Sequence, residues 1–402
     1  MSAVVTGLGV LAPNGIGVET FWRHTLDSVS GIGPISSFDA SGYPVRLAGE
    51  VPGFEARQHI PDRLVPQTDR VTQLALAATA SALDDAALDP ARLDAFDMGV
   101  VTACSAGGFE FGQRELENLW ARGPQYVSAY QSFAWFYAVN TGQISIRHGM
   151  RGPTGVIVTE QAGGLDAIGH ARRQVRGGTP LMVTGGVEAP LCPWALAAQI
   201  PNGRLSRRAD PARAYRPFGA DATGHVLGEG GAVLVLEDGD AARDRGAVRS
   251  YGEIAGYRAT FDPEHGPSRL ESAMRGAIED AGLTPAGIDV VFADAAGLPE
   301  LDLAEAQAIT SVFGPGGVPV TAPKTMTGRL NAGGAVLDVA TALLSIRDGV
   351  IPPTINVGRL ADGCEIDLVT DVRSAPVRRV LIAARGYGGF NSAMVVSAEG
   401  YS

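Results

Sequence analysis

The sequence predicts an α/β fold of two similar halves, with strands that are mainly parallel and buried. Three observations predict it. Two pairs of segments repeat along the chain, short apolar strands alternate with helical patterns in both halves, and the composition supplies a large core. Over 402 residues, 45% are hydrophobic and 19% charged, which excludes global disorder. The 53 glycines are scattered through apolar runs rather than gathered in low-complexity tracts.

The first repeat pairs ALDDAALDP (82–90) with AIEDAGLTP (277–285). Each closes a helical pattern and precedes a strand. The earlier helix starts near Asp69 and places Val71, Leu74, Ala78 and Leu83 at helical spacing. The later one starts near Ser268 and brings Leu270, Met274, Ile278 and Ala281 to one face. The strands that follow are GVVTAC (99–104) and DVVFAD (289–294). The second repeat pairs AGGLDAIGHARRQVRGG, from Ala162, with AGGAVLDVATALLSIRDG, from Ala332. Both read as buried helices entered through glycine-rich turns, and they lead to strands LMVTGG (181–186) and LIAARG (381–386). The charged segment EDGDAARDRG (237–246) marks the junction. It divides the chain into an N-terminal half, 1–240, and a C-terminal half, 241–402, packed as one body. Such a body places its site between the halves, at strand carboxyl ends. Four turns qualify: those at Cys104, Gln161 and Asp294, and the loop Lys324–Gly334.

In GVIVTEQAGG (155–164) a β-branched strand enters a small-residue turn and then a helix. This is nucleophile-elbow geometry, in which the helix N-terminus favours developing negative charge. The residue at the point is Gln161, whose amide only donates and accepts hydrogen bonds. The segment also fits an ordinary strand-to-helix turn. Cys104, in VVTACSAGG, has two readings: a nucleophile activated by a base, or an inert core thiol.

The six histidines are His24, His59, His148, His170, His225 and His265. None follows 265, so the last strand ends carry no imidazole. No HExxH or CxxC spacing occurs, so no metal is expected. The glycine runs match neither a P-loop nor a dinucleotide fingerprint, and no cofactor is expected. Three cysteines cannot build a disulfide framework, which points to a reducing cytoplasm. A net charge of −11 argues against nucleic acid as a partner. No apolar stretch reaches the ~18 residues of a membrane span without a charge, and MSAVVTGLGV lacks the basic region of a secretory signal. Of 32 basic residues only Lys324 is lysine, which suggests a place where a compact ammonium fits and a planar guanidinium does not.

Five segments together resemble the ketosynthases of the thiolase superfamily: VVTGLGVLAPNG (4–15), RPFGADATGHVLGEGGAVLVLE (216–237), VFADAAGLPELDLAEAQAI (291–309), PKTMTGRLNAGGA (323–335) and GYGGFNSAMVV (386–396). The resemblance covers nearly the whole chain and implies a thiolase-like, duplicated, five-layered α/β/α/β/α fold. Active members carry a Cys at the elbow and two His from the second half. Here the elbow holds Gln161, the first His position holds Asp294 and the second holds Arg329, while Lys324 of the motif remains. Gln161 followed by AGGLDA resembles the chain length factor, or beta subunit, of bacterial type II polyketide synthases, and SFAWFYAVNTGQISIRHGMRGP (132–153) resembles its aromatic-polyketide members.

The resemblance implies a subunit that does not condense. It would pair with an active ketosynthase alpha subunit, accept chains from an acyl carrier protein and set polyketide length in antibiotic-type biosynthesis. The gating positions fall on GGFEFGQRELENLW (107–120), where Phe109, Gly112 and Leu116 share a helical face; Phe133 and Trp135 face the same interface. A glycine at 112 and a leucine at 116 imply a product longer than the family's shortest. Plain core packing of Phe109 and Leu116 is the alternative. Asp294 and Arg329 either pair directly or through one water, or each finds a separate partner. The stretch GRLSRRADPARAYRP (203–217) is either a solvated loop or a carrier-docking surface at Arg207 and Arg208. Two other activities stand beside the first: a decarboxylase that primes the synthase from malonyl carrier protein, and an acyltransferase using Cys104.

Overall fold

The computed structural model describes residues 2–264, 266 and 268–399; His265 lies outside the described residues. In the first half the elements are β1 (Ala3–Ala12), α1 (Arg70–Asp85), β2 (Met98–Ala103), α2 (Phe109–Arg122), α3 (Val139–His148), β3 (Thr154–Ile157), α4 (Gly163–Arg176), β4 (Leu181–Glu188) and β5 (Gly230–Asp238). The second half has β6 (Gly252–Phe261), α5 (Leu270–Asp280), β7 (Val290–Phe292), α6 (Pro299–Phe313), β8 (Pro319–Thr321), α7 (Ala332–Asp348), β9 (Arg379–Arg385) and β10 (Phe390–Ser397). The helix starts fall where the repeats place them. Asp69 accepts from the Val71 N–H to cap α1, and Ser268 Oγ accepts from the Leu270 N–H at α5.

Among the described residues the strands form a 12-stranded sheet whose halves join through β1 and β6. Outward from that seam, ten of the twelve strands run in the orders β1–β5–β4–β2–β3 and β6–β10–β9–β7–β8, with Asp367–Leu368 beyond β8 and Gly15–Ile16 paired to β1. These are the same order, so the duplication is topological. It extends to detail. The β1 ladder slips between Val5 and Gly7, and the β6 ladder between Ile254 and Gly256. A Cβ on Gly7 would lie 2.2 Å from the Ala82 carbonyl oxygen, and one on Gly256 would lie 2.1 Å from that of Ala277. Ala82 and Ala277 open the two copies of the first repeat, so each bulge lets a strand touch its helix.

Strand direction differs from the mainly parallel expectation. Parallel pairing holds where a helix returns the chain: β2 with β3 and β4, and β7 with β8 and β9. The long central pairs β1–β5, β4–β5, β6–β10 and β9–β10 are antiparallel. The link between β9 and β10 is too short for a crossover and permits only a hairpin.

Helices α4 and α7 pack against each other between the halves, where Leu165, Ile168, Val336 and Leu343 share one core. On the outer faces, Leu74 and Leu76 of α1 meet Val100 and Val183, and Met274 and Ile278 of α5 meet Val291 and Leu381. The result is the five-layered thiolase-like arrangement. Helix α7 is buried continuously from Ala332 to Ser345, including Asp338, so a charge inside it needs an opposite charge.

Candidate functional site

The turns singled out by sequence converge. Three of them hold a non-glycine residue at positive φ: Glu160 at 52°, Ala295 at 52° and Asn331 at 46°. Such strain persists only where surrounding structure fixes it. A cleft of about 500 Å3 opens between the turns, lined by Ser105, Phe109, Glu160, Asp294, Arg329 and Asn331 among others.

Gln161 stands at the elbow but does not line this cleft. Its side chain is fully buried, and neither amide atom has a hydrogen-bond partner among the described residues. It lies against α7, where a Cβ on Gly334 would approach Gln161 Nε2 to 2.6 Å. The glycine therefore makes room for the carboxamide.

Asp294 and Arg329 pair directly. Arg329 Nη2 donates to Asp294 Oδ1 at 3.0 Å, and Nη1 donates to the Asp294 carbonyl at 2.7 Å. Arg385, at the end of β9, adds its N–H to Oδ1 at 2.9 Å and its Nε to Oδ2 at 3.3 Å. Arg385 also reaches Glu305 Oε2 at 3.2 Å, while Glu305 accepts the Asp294 and Ala295 N–H groups. Burial opposes ionisation of Asp294, but the Arg329, Arg385 and Lys324 cations outweigh it and hold the carboxyl below its usual range.

Lys324 does not face the cleft. Its Nζ lies 2.7 Å from Asp338 Oδ2 of α7 and donates to the Ala293 and Asp294 carbonyls at 2.6 and 3.2 Å. The three cations Lys324, Arg329 and Arg385 thus meet the three acids Asp294, Glu305 and Asp338, all buried. Burial and Arg329 also lower His225, in the cleft wall, to about 3. It is neutral at physiological pH, with Nδ1 3.2 Å from the Ala296 carbonyl.

Cys104 is a core thiol. It is fully buried, and its Sγ lies 3.6 Å from Glu188 Oε2. Burial, then the neighbouring Glu188, push its pKa well above the ordinary thiol value. Glu188, at the end of β4, receives the N–H groups of Ser105 and Ala106. Iodoacetamide should therefore leave Cys104 unmodified in the folded protein at neutral pH and label it in urea, as peptide mass mapping would read. Labelling of the native chain would return Cys104 to the list of nucleophiles.

The residues expected at the gate lie beside the cleft. Phe109 lines it, whereas Gly112, Leu116 and Phe133 do not. Phe109 is half-buried and Leu116 is 37% exposed, so they are not core. The Trp194 indole lies along this face. It makes an edge contact with Phe109, ring centroids 4.9 Å apart, and a Cβ on Gly112 would meet its Cζ3 at 3.1 Å. The room left by Gly112 is thus largely filled by Trp194, which weakens the inference from glycine alone to a longer product. Trp135 Cβ would lie 3.6 Å from the same added Cβ, and Phe133 is half-buried against Tyr130. Exposed aromatic residues gather here: Trp120, Tyr130, Trp135, Phe136 and Trp194.

The arginine-rich stretch is partly self-contained. Arg208, Arg213 and Arg216 all reach Asp221, at 3.9, 3.5 and 2.6 Å. Arg207 is exposed. No helix of the described residues is long and apolar enough to cross a membrane.

Fold and site define a ketosynthase-like chain with an amide at the elbow and a buried ion pair between Asp294 and Arg329. The N-terminal domain family of beta-ketoacyl synthases matches residues 2–242 and the C-terminal domain family matches 246–358. The chain belongs to the beta-ketoacyl synthase family. It is 61% identical over 402 residues to the tetracenomycin polyketide synthase ketoacyl synthase beta subunit of Streptomyces glaucescens, covering 99% of this chain and 98% of that one. It is 58% identical to an actinorhodin polyketide putative beta-ketoacyl synthase 2 of Streptomyces coelicolor, over 98% of both chains. Among solved structures, the ishigamide ketosynthase/chain length factor superposes with a TM-score of 0.92 at 30% identity, covering 99% of each chain.

Proposed function

We propose that this chain is the non-catalytic beta subunit of a type II polyketide synthase. It heterodimerises with an active ketosynthase alpha subunit and sets the length of an aromatic, antibiotic-type polyketide. One observation carries the reading: a buried carboxamide occupies the elbow while the Asp294–Arg329 pair occupies both imidazole positions. No group there can hold an acyl thioester. The relatives support it, since those at 61% and 58% identity are named as beta subunit and beta-ketoacyl synthase 2 of polyketide pathways. A solved neighbour with a TM-score of 0.89 is a type II synthase acyl-carrier protein in complex with its ketosynthase bound to a hexaketide, which supports a carrier protein as the second partner. The exposed aromatic cluster around α2 supplies an apolar surface for the ketosynthase. Three free, buried cysteines fit a reducing cytoplasm.

A decarboxylase would need donors for an enolate. Arg329 and Lys324 are already engaged with Asp294, Asp338 and backbone carbonyls, so the geometry does not favour it. The test is to supply malonyl carrier protein to the purified chain alone and to its complex with a ketosynthase. The complex should extend chains. The isolated chain should give neither extension nor carbon dioxide, because losing nucleophile and base together removes many orders of magnitude of rate. Extension by the isolated chain, or a polyketide bonded to it, would overturn the proposal. Carbon dioxide release abolished by Gln161→Ala would establish the decarboxylase instead.

A further inference from the structure

Helix α2 carries the gate positions, yet it begins without a cap of its own. Its N-cap residue is Gly108, which has no side chain to offer the first-turn N–H groups. The acceptor comes from a distant part of the chain. Asp69 Oδ1 accepts the Val71 N–H at 2.8 Å and caps α1, while Asp69 Oδ2 accepts the Phe111 N–H of α2, also at 2.8 Å. One carboxylate, 2% exposed, therefore caps two helices. The start of α2 is wedged from both sides. A Cβ on Gly108 would lie 2.9 Å from Asp69 Cβ and 2.1 Å from the Ala134 carbonyl oxygen, and the Gly108 N–H donates to the Trp135 carbonyl at 3.0 Å. Further along, buried Glu115 accepts the Ser128 N–H at 2.6 Å, and Gln113 Oε1 accepts the Trp194 N–H at 2.9 Å. The segments at Ser128, Trp135 and Trp194 are thus each tied to α2 or its N-cap residue by a hydrogen bond.

We infer that Asp69 is a positioning residue for chain-length selection, fixing where α2 starts and so where Phe109, Gly112 and Leu116 stand against Trp194 and Trp135. This rests on the length-setting reading proposed above. Asp69 touches neither the cleft nor the gate face and acts only through the Phe111 N–H. Its two oxygens have separate duties, and Asp69→Asn separates them. Asparagine still caps α1 through its oxygen, but its amide nitrogen cannot accept from Phe111.

The experiment uses the complex with its ketosynthase, supplied with malonyl carrier protein, and measures the ratio of products of different length together with total yield. Asp69→Asn should change that ratio by ~5-fold, the scale set by loss of one cap bond. A purely structural defect would lower all products in proportion. Asp69→Ser, which caps α1 but is too short to serve Phe111 as well, should shift the ratio the same way and covers the case in which the asparagine variant does not assemble. Gly112→Trp is run in parallel. If it alters product length while both Asp69 variants keep the wild-type ratio, the inference about Asp69 fails. If Gly112→Trp leaves product length unchanged at normal yield, this face of α2 is removed from length control, and the inference about Asp69 fails with it.

Discussion

A complex containing Gly112→Trp should make a shorter polyketide. Position 112 faces the Trp194 indole and Trp135, and even a methyl group there would stand 3.1 Å from Trp194 Cζ3. A second indole must therefore push into the space on the open side of α2, where Phe109 and Leu116 lie. The wild-type main product should fall roughly 10-fold or more, since a whole indole exceeds the about 1–3 kcal/mol of modest overpacking. Products shorter by at least one two-carbon unit should take its place. Product mass by liquid chromatography decides it. An unchanged product at normal yield would remove this face from length control. The isolated chain has no nucleophile to extend a polyketide, so the measurement requires the heterodimer.

The second large effect is on stability. Asp294→Asn removes the carboxylate shared by Arg329 and Arg385, leaving three buried cations against two acids. Breaking a buried pair by removing one partner costs about 3–5 kcal/mol, which for a chain of this size is a fall in Tm of roughly 5 °C or more. The double variant Asp294→Asn/Arg329→Gln should lose less than the sum of the single losses, because the two positions are coupled. The pH dependence has a definite sign. The Asp294 pKa is depressed by folding, so its contribution is present above its unfolded value of about 3.9 and vanishes only as pH falls through the lower folded value. The gap in Tm between wild type and Asp294→Asn should hold from neutral pH down to about 5 and shrink below about 4. A gap of less than about 1 °C at neutral pH would show that the network contributes little.

Much of the fold was legible because duplication writes itself twice. Each repeat kept its helix start, its glycine contact and its following strand, as Gly7 and Gly256 show at matching bulges. Strand direction was not legible, because buried strands read as apolar runs whichever way they point. The site was half legible. Gln161, Asp294, Arg329 and Lys324 emerged from motif positions, but what Lys324 does there depends on Asp338, which looks from sequence like any polar residue in a helix. Arg385 read as the end of an apolar strand, although it lies 91 positions from the carboxylate it holds. Glu188, Trp194 and the second bond of Asp69, to Phe111, were missed for the same reason. Their partners come from other elements, and no local spacing announces a contact made by tertiary packing. A charged residue at the inner end of an otherwise apolar strand, as at Glu188 and Arg385, is the one signal that was present.

The six-membered charge set beneath the cleft also bears on whether this chain could regain chemistry. Put an imidazole back at 294 and two guanidinium groups are stranded; put one back at 329 and a carboxylate loses a counter-ion; put sulfur back at 161 and it finds no base. Each reversion at 294 or 329 makes the protein less stable before it makes it active, and the one at 161 supplies a nucleophile without its base. The interior works as a ratchet, and retirement from catalysis, once balanced in this way, is held in place by folding itself.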